Sequence, residues 1–470
     1  MRICIVLEGC YPYVTGGVSS WTHSLIKSFP QHEFVLWCIG ADSADRGKYV
    51  YELPDNVVEV HEVFLNDALK GTPGYKRARF TPEQKQALSD FVHCTSPDWG
   101  VLFETMRQKG MTPIGFLMSE TFLDLMTDIC RQDYPYTAFS DMFHTLRSML
   151  LPVLFLMCQE VPKADVYHTI AAGYSGVLAC LGGYVNHAPV MLSEHGIYSR
   201  EREEEIIRAT WVLPAFKRLW VRFFFMLSRA VYDQASVVTS LFGNARKAQI
   251  ELGCDPSKCR ITPNGVNVEK FGAVPPKEPD GWVDIGAIVR IAPIKDVKTL
   301  LYAFAEVKHY VDNARLHVIG PEDDKEYAQE CYELARQLDL HDVLFTGRVD
   351  TAQYLSKIDF TVLTSISEGQ PLSVLESFAA GRPCVLTDVG CCRELLDGGE
   401  GDDLGCAGFC VEPMNRMALA SALERMCADA DERRAMGEIG RKRACTYYRQ
   451  EQMVTTYTDL YQEVVSSWQA

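Results

Sequence analysis

Residues 367–381, with the sequence SEGQPLSVLESFAAG, carry the clearest signal of the chain's secondary structure. They lie between two apolar runs, 360–363 and 383–386, whose length and β-branched content are typical of buried strands. Pro371 is placed to be the first residue of a helix, and Gly381 is placed to end that helix before the second strand. A strand, a helix and a strand in this order form a parallel β-α-β unit. The stretch therefore predicts the α/β class.

The same alternation continues in both directions along the chain. Short apolar runs alternate with amphipathic stretches, as in parallel strands joined by crossover helices. The expected strands are 2–7, 33–39, 166–168, 190–193 and 236–239 in the first half, and 283–289, 315–319, 343–345, 360–363 and 383–386 in the second. Helices are expected around 297–310 and 325–338. We predict two doubly wound, Rossmann-like domains that face a central ligand-binding cleft.

Two segments interrupt this pattern. Residues 66–160 are mostly helical and too long for an ordinary α/β connection, so we expect an inserted helical subdomain. Residues 271–281 are rich in proline and glycine, which indicates a linker. The predicted domains are 1–272 with the insertion, 282–450, and a C-terminal helix at 451–470 that packs back on the first domain.

Composition excludes several functional classes. With 46 Lys and Arg against 62 Asp and Glu, the net charge is −16, so nucleic acid is not an expected partner. The longest apolar run, 149–158, is about half of the roughly 20 residues that cross a bilayer. The seventeen cysteines lack zinc-site spacing, and a chain this long does not need disulfides. We therefore expect reduced thiols and a cytoplasmic location.

The first half contains two candidate binding motifs. A loop after the first strand carries Gly16 and Gly17 at the start of a helix, where free N–H groups favour phosphate oxygens; a plain helix-entry turn is the alternative. Neither the dinucleotide fingerprint nor the P-loop sequence is present. His195 follows the strand at 190–193 and could donate a hydrogen bond or hold a proton, although a structural role is the alternative. His168 is a weaker candidate of the same kind.

In the second half, charged residues follow two strands. Arg290 and Lys295 lie just past the strand at 283–289 and suit the two phosphates of a diphosphate; surface salt bridges are the alternative. Glu368 and Glu376 could accept hydrogen bonds from sugar hydroxyls, unless they only face water. The one D-x-D sequence, 429–431, falls in a charged helical stretch, so no metal site is expected.

Four features are the Gly16-Gly17 loop, Glu194-His195-Gly196, the pair of Arg290 and Lys295, and the E-x7-E motif from Glu368 to Glu376. In this order and spacing they resemble the motifs of the retaining glycosyltransferases of family 4, which have the GT-B fold. The resemblance covers nearly the whole chain. More closely, LEGCYPYVTGGVSSW at 7–21, the segment 193–198 and the helical insertion resemble enzymes of bacterial exopolysaccharide synthesis.

The resemblance implies a UDP-sugar donor held mainly by the second domain. Its implied contacts are Arg290 and Lys295 with the diphosphate, Glu368 with sugar hydroxyls, Glu376 with the ribose, Arg348 and Val349 with the base, the Gly369-Gln370-Pro371-Leu372 turn with the donor, Gly17 with the phosphates, and His195 with the sugar near the reacting carbon. No metal or other cofactor is implied.

The implied reaction is retaining transfer of a hexose or N-acetylhexosamine to a growing exopolysaccharide. The implied partners are the UDP-sugar, the polysaccharide acceptor and membrane-embedded synthase components that recruit the chain to the inner face of the membrane. Two other functions stay open at this point. One is a UDP-binding regulator without catalysis, and the other is an NAD-dependent oxidoreductase, against which the missing glycine fingerprint argues.

Overall fold

A computed structural model describes residues 1–70 and 80–469, with side chains described up to residue 468. The chain divides into two compact units. Unit 1 comprises residues 1–261 and 457–470, and unit 2 comprises residues 262–456. The predicted linker at 271–281 thus falls inside unit 2, and the division lies before the predicted boundary.

Unit 1 is built on a seven-stranded parallel sheet in the order β3-β2-β1-β4-β5-β6-β7. Its strands are β1 (Arg2–Glu8), β2 (Glu33–Gly40), β3 (Val57–Phe64), β4 (Val166–Thr169), β5 (Val190–Glu194), β6 (Val237–Ser240) and β7 (Cys259–Ile261). Its helices are α1 (Gly17–Ser28), α2 (Pro82–Val92), α3 (Trp99–Arg107), α4 (Pro113–Leu117), α5 (Glu120–Gln132), α6 (Phe139–Met157), α7 (Tyr174–Asn186), α8 (Tyr198–Arg208), α9 (Lys217–Gln234) and α10 (Gly243–Glu251).

Unit 2 has a six-stranded parallel sheet in the order β10-β9-β8-β11-β12-β13. Its strands are β8 (Val283–Ile288), β9 (Ala314–Ile319), β10 (Val343–Gly347), β11 (Phe360–Leu363), β12 (Cys384–Thr387) and β13 (Gly408–Val411). Its helices are α11 (Val268–Gly272), α12 (Val297–Lys308), α13 (Lys325–Gln337), α14 (Thr351–Leu355), α15 (Leu372–Ala379), α16 (Cys392–Asp397), α17 (Arg416–Ala428) and α18 (Ala430–Tyr447). The last helix, α19 (Gln450–Gln469), begins in unit 2 and joins unit 1 from Tyr457 onward.

Both sheets confirm the predicted doubly wound α/β class. In each, the strand order reverses once, between β1 and β4 in unit 1 and between β8 and β11 in unit 2. Loops at the carboxyl ends of the two strands beside such a reversal diverge to opposite sides and leave a crevice, where open α/β sheets bind ligands. The loops after β1 and β4 in unit 1, and after β8 and β11 in unit 2, therefore decide where each unit can hold a ligand.

The expectation of a helical insertion is confirmed by helices α2 to α6, whereas residues 71–79 of the expected segment lie outside the described residues. Helices α2 to α5 begin after side chains that accept a backbone N–H, namely Thr81, Asp98, Thr112 and Ser119. Their apolar faces bury residues such as Leu102 and join the core of unit 1. The insertion is thus part of that core.

Two further findings concern membrane-spanning helices and the state of the cysteines. Among the described residues, no helix combines the length and the apolarity needed to cross a membrane. All the cysteines are free thiols, and Cys254 and Cys259 lie with their sulfur atoms 3.5 Å apart.

Candidate functional site

The loops after β8 and β11 bring the motif residues of unit 2 together at its strand-order reversal. Lys295 lies in the loop after β8, Glu368 lies in the loop after β11, and their side chains form an ion pair. Only 17% of the Lys295 side chain and 12% of the Glu368 side chain are exposed. Ser365 Oγ also donates to Glu368 Oε1 (2.6 Å). A paired ammonium and carboxylate therefore stand at the carboxyl edge of the sheet.

Backbone contacts hold these two loops against each other. Ile366 N donates to Ile294 O (2.9 Å), and Thr364 Oγ1 donates to Lys295 O (2.9 Å). Asp296 then takes a left-handed conformation with φ 46° and accepts from Thr299 N (3.4 Å), so it begins α12 directly after Lys295. This short turn fixes the backbone from which the lysine side chain extends.

Arg290 lies in the same β8 loop but is more exposed, with 39% of its side chain accessible. Its Nη1 pairs with the carboxylate of Asp323, which lies in the loop after β9. Ile291 N donates to Pro321 O (2.9 Å), and Asp324 N donates to Ile291 O (3.1 Å), so the two loops run side by side. Asp323 was not predicted, because a residue 33 positions away gives no local signal.

The Gly369–Leu372 turn is held from two sides. Cys391 N donates to Gly369 O (3.1 Å), and Asn264 N donates to Gln370 Oε1 (2.6 Å). Gln370 is buried and its side-chain oxygen already has a partner, so this residue shapes the turn. The prediction that Pro371 is the first helical residue is wrong: with ψ 117° it is extended and caps α15, which starts at Leu372. The Pro371 carbonyl accepts from Val374 N (3.1 Å) and Leu375 N (3.4 Å), so the helix starts one residue later than the preference of proline for the first helical position predicts.

Glu376 lies one turn into α15 and is half-buried, and its carboxylate makes no hydrogen bond or ion pair to any described residue. Burial raises the pKa of its carboxyl to about 7, while Lys270 opposes that shift and Asp350 adds to it. Asp350 begins α14 and directly follows Arg348 and Val349. The loop after β10 therefore lies within electrostatic reach of the Glu376 carboxylate. Arg348 is exposed and makes no ion pair within the described part of the chain.

In unit 1, Gly16 and Gly17 begin α1, and Ser20 N donates to Gly16 O (2.8 Å). A Cβ added to either glycine would meet nothing within 4 Å, so the space beside this turn is open. Trp21, on the same helix, packs its ring edge against the ring of His195, with centroids 4.4 Å apart. The glycine turn and the β5 loop are therefore neighbours within unit 1.

Burial lowers the pKa of His195 to about 4, so its imidazole is neutral near pH 7. Its Nε2 is buried and has no hydrogen-bond partner among the described residues. The preceding Glu194 accepts from Tyr232 Oη, Gln249 Nε2 and Tyr198 N, at 2.9, 2.9 and 3.1 Å, and these bonds hold the loop that carries His195. His195 is thus fixed in place with one ring nitrogen available.

His168 differs from His195. Its Nδ1 lies 2.8 Å from Tyr461 Oη and its Nε2 lies 2.8 Å from Ser193 Oγ, so both ring nitrogens have partners in the core. Burial lowers its pKa to about 3. The geometry fits the structural alternative for this residue.

Glu8 is a functional candidate that sequence reasoning missed. It ends β1, its carboxylate accepts from Ser175 N (3.2 Å) and Tyr198 Oη (3.3 Å), and burial raises its pKa. The local signal was a carboxylate that ends an otherwise apolar strand. It holds the start of α7 beside the strand-order reversal of unit 1.

Two other features lie away from these groups. Asp429 begins α18 by accepting from Asp431 N (3.0 Å) and Glu432 N (2.8 Å), which accounts for the D-x-D sequence. In residues 1–70 and 80–469 no group of histidine, cysteine or acidic side chains could hold a metal ion. A cavity of about 470 Å³ lies in unit 2 near Trp282 and Arg382, at the amino ends of β8 and β12. It is therefore at the opposite edge of the sheet from Lys295.

Comparison with known families divides the chain into two matched parts. Residues 1–257, more than half of the chain, match a family model described as a domain of unknown function (DUF3492). Residues 283–429 match the model described as glycosyl transferases group 1. The second match contains Arg290, Lys295, Glu368 and Glu376.

Curated relatives include an MMP alpha-(1->4)-mannosyltransferase of Mycolicibacterium hassiacum, 25% identical over 59% of this chain and 66% of the relative. An alpha-monoglucosyldiacylglycerol synthase of Streptococcus pneumoniae is 27% identical over 53% and 57%. An N-acetyl-alpha-D-glucosaminyl L-malate synthase of Bacillus anthracis is 30% identical over 37% and 43%. The matched part thus spans less than two thirds of the length of each relative.

Solved structures show the same fold along almost the whole chain. Anabaena HepE, solved with UDP and glucose, superposes with a TM-score of 0.61 at 14% identity, covering 98% of this chain and 99% of HepE. Sucrose-phosphate synthase of Thermosynechococcus elongatus gives a TM-score of 0.61 at 17% identity, covering 99% of each chain. These similarities confirm the predicted GT-B fold.

Proposed function

We propose that this chain, which belongs to the family of the domain of unknown function DUF3492, is a glycosyltransferase that takes its sugar from a nucleoside-diphosphate donor. The observation that carries the proposal is the Lys295 and Glu368 ion pair at the strand-order reversal of unit 2. It combines an ammonium for a phosphate with a carboxylate for sugar hydroxyls, inside the part that matches glycosyl transferases group 1.

The proposed donor is a UDP-sugar. Lys295 and Arg290 would bind the diphosphate, and Glu368 would accept hydrogen bonds from the sugar. Glu376 would bind the ribose hydroxyls, with Arg348 and Val349 beside the base. The Glu376 carboxylate has no partner among the described residues and lies near the β10 loop, which supports this arrangement. HepE, of the same fold, was solved with UDP.

The reaction exchanges one bond at the anomeric carbon of the donor. The bond from that carbon to the diphosphate oxygen breaks and a bond to the acceptor oxygen forms, while the acceptor proton goes to the departing phosphate. Negative charge grows on the diphosphate as the carbon becomes cation-like, and preorganised cations there lower the barrier. A neutral His195 would donate or accept a hydrogen bond at the sugar. We propose retention of configuration, and Gly17 as an amide donor to the phosphates.

The finer proposal concerns the product. The resemblance of residues 7–21 and 193–198 to enzymes of Pel exopolysaccharide synthesis supports a growing polysaccharide as the acceptor. A hexose or N-acetylhexosamine would be the sugar transferred. Membrane-embedded synthase components would be the partners, which places the reaction at the cytoplasmic face of the membrane.

A thermal-shift panel with UDP, GDP, ADP and their sugars tests the donor. A ligand at about 100 times its Kd stabilises the folded state by about 2.7 kcal/mol, so the cognate nucleotide should raise the midpoint clearly. We expect UDP and one UDP-sugar to do so; stabilisation by GDP or ADP instead would overturn the donor assignment. Chromatography of the same mixtures then separates the functions. Release of UDP from the UDP-sugar supports the enzyme. A chain that binds UDP but leaves the UDP-sugar intact, with or without acceptor, is a regulator.

A further inference from the structure

The connection between α8 and α9 exposes large apolar side chains to solvent. Trp211 is 64% exposed, Leu213 is 49% exposed, and Ile207, near the end of α8, is 60% exposed. The Trp211 ring packs edge-on against Trp220 of α9, with centroids 5.4 Å apart, so this exposed position is held by the core. Adjacent exposed apolar residues of this size mark interaction sites in soluble units.

Positive charge is concentrated beside these residues. Lys217 and Arg218 form the first turn of α9, where the helix dipole is already positive and no acidic residue or capping side chain offsets it. Residues 206–232 contain five cations and no Asp or Glu, and they follow the acidic residues 203–205 of α8. Two of the five are paired with flanking carboxylates, Arg208 with Glu204 and Arg229 with Asp233. The cations of this stretch without an ion pair among the described residues are Lys217, Arg218 and Arg222. Cations in the first turn disfavour the helix, so local stability does not explain them.

A second loop extends the same surface. The Tyr134 ring contacts Phe216, just before α9, with centroids 5.4 Å apart. Tyr136 is 100% exposed and Phe139 is 47% exposed. Residues 131–141 contain one cation, Arg131, and two acidic residues, Asp133 and Asp141, so the net positive charge of this surface comes from the α9 side.

We propose that this surface, named here the Trp211 face and consisting of Ile207, Trp211, Leu213, Lys217 and Arg218, docks on a bilayer rich in anionic phospholipid. Aromatic and aliphatic side chains flanked by Lys and Arg are the composition that lies at the headgroup boundary. Lys217 and Arg218 make no ion pair within the described residues. Arg218 is exposed, and the half-buried Lys217 donates from Nζ to Ile207 O (2.6 Å), which holds its uncompensated charge beside the apolar residues. An anionic bilayer offers both an apolar phase for the exposed rings and phosphates for the cations. The rest of the chain carries the net negative charge and is repelled from such a bilayer, so the Trp211 face of unit 1 is turned toward it.

Flotation of the full chain with vesicles tests the proposal. Two compositions are used, phosphatidylcholine alone and equal parts phosphatidylcholine and phosphatidylglycerol, at low and at physiological salt. We expect binding to the anionic vesicles that weakens with salt. Lys217→Glu with Arg218→Glu should lower the partition coefficient by about tenfold or more, because each cation near such a surface contributes about 1 kcal/mol. Lys85→Glu with Arg434→Glu, on other exposed surfaces, is the charge-matched control.

Brominated lipid reports insertion directly. Tryptophan fluorescence should be quenched by anionic vesicles that carry brominated acyl chains, and Trp211→Phe should remove most of that quenching. Tyr310→Ala, at a 78% exposed aromatic in unit 2, is the control for loss of an exposed ring. Circular dichroism confirms folding of each variant.

Three outcomes would overturn the proposal: absence of binding to anionic vesicles at low salt, equal binding of the charge-reversed and control variants, or unchanged quenching in Trp211→Phe. Binding only to native membranes that retain their proteins would assign the face to a protein partner instead. None of these readouts depends on glycosyl transfer, so they are separate from the proposed function.

Discussion

Lys295 and Glu368 neutralise each other across two loops, and this pairing explains how a nearly covered ammonium and carboxylate coexist at a sheet edge. A diphosphate that enters this position meets a cation already held in place. The same principle applies to Arg290, of which only Nη1 is used by Asp323, leaving its other nitrogens for phosphate oxygens. At the scale of single residues, the unit 2 site is therefore a set of partly satisfied charges.

Lys295→Ala should lower turnover at saturating donor by about 100-fold or more, since removal of one preorganised donor from a transition-state site costs about 2.7–4 kcal/mol. Lys298→Ala is the matched control, because Lys298 pairs with Glu330 on exposed surface of the same region. Initial rates of UDP release measure the effect. Turnover that is equal in the two variants would contradict the role of Lys295.

The ionisation of Glu376 gives a pH-dependent prediction. Burial raises its pKa to about 7, so the folded chain binds more protons than the unfolded chain between the ordinary carboxyl pKa and about 7. The contribution of Glu376 to stability is therefore present at low pH and is lost as the pH rises through about 7. Glu376→Gln should be increasingly more stable than the wild type over this interval, measured by urea unfolding at a series of pH values. A difference in unfolding free energy between the variant and the wild type that stays constant across these pH values would show that folding does not raise the pKa of the Glu376 carboxyl.

At the scale of elements, the site depends on loops that contact each other from distant parts of the chain. Gly390, with φ +57°, lies so close to the β11 loop that a Cβ would overlap the carbonyl oxygens of Glu368 and Gly369. The loop after β12 thus supports the turn that leads into α15. The close approach of Gly390, an uncharged residue, therefore helps to fix the position of the Glu368 backbone.

Gly390→Ala should weaken UDP binding by about tenfold or more, because the added Cβ displaces the loop whose Glu368 pairs with Lys295, the residue assigned to the diphosphate. The roughly 1–2 kcal/mol cost of a left-handed backbone lowers stability in addition. Gly401→Ala is the control: its φ is +85° and a Cβ there would meet nothing within 4 Å. Calorimetric titration with UDP and urea unfolding measure the two effects separately. We expect both variants to lose stability and only Gly390→Ala to lose affinity; equal affinities would contradict the supporting role of this loop.

At the scale of the molecule, the C-terminal helix completes unit 1. Tyr461 Oη lies 2.8 Å from His168 Nδ1, and Tyr457 Oη lies 2.9 Å from Ser193 Oγ, both in the buried core. The final residues of the chain thus supply polar partners to strands β4 and β5. This agrees with the grouping of residues 457–470 with unit 1.

Tyr461→Phe should destabilise unit 1 by about 1–3 kcal/mol, since it leaves a buried histidine nitrogen without its partner. Tyr447→Phe is the control, because its hydroxyl donates to Gly401 O (3.1 Å) on exposed surface. Denaturant unfolding followed by tryptophan fluorescence checks the prediction. A loss for Tyr461→Phe no larger than that for Tyr447→Phe would count against the buried contact.

Sequence patterns predicted those strands and site residues that are marked by a run or motif of neighbouring residues. The apolar strands of both sheets and the charged residues that follow β8 and β11 were found in this way. Strands β3, β7 and β13 were missed because they are only partly buried and so lack the continuous apolar run of the other strands. Contacts between distant residues, such as Asp323 with Arg290 and Asn264 with Gln370, leave no mark in local sequence. They depend on the strand order.

The diphosphate site at Lys295 is tested by comparing UDP with uridine as ligands of the wild type and of Lys295→Ala. Titration calorimetry gives the UDP affinity, and competition gives that of uridine. If Lys295 binds the donor diphosphate, the variant loses affinity for UDP by about tenfold or more, as expected for a charge-assisted contact, and keeps its affinity for uridine. An equal change for both ligands, or no change for UDP, would contradict a diphosphate site at the Lys295 and Glu368 pair.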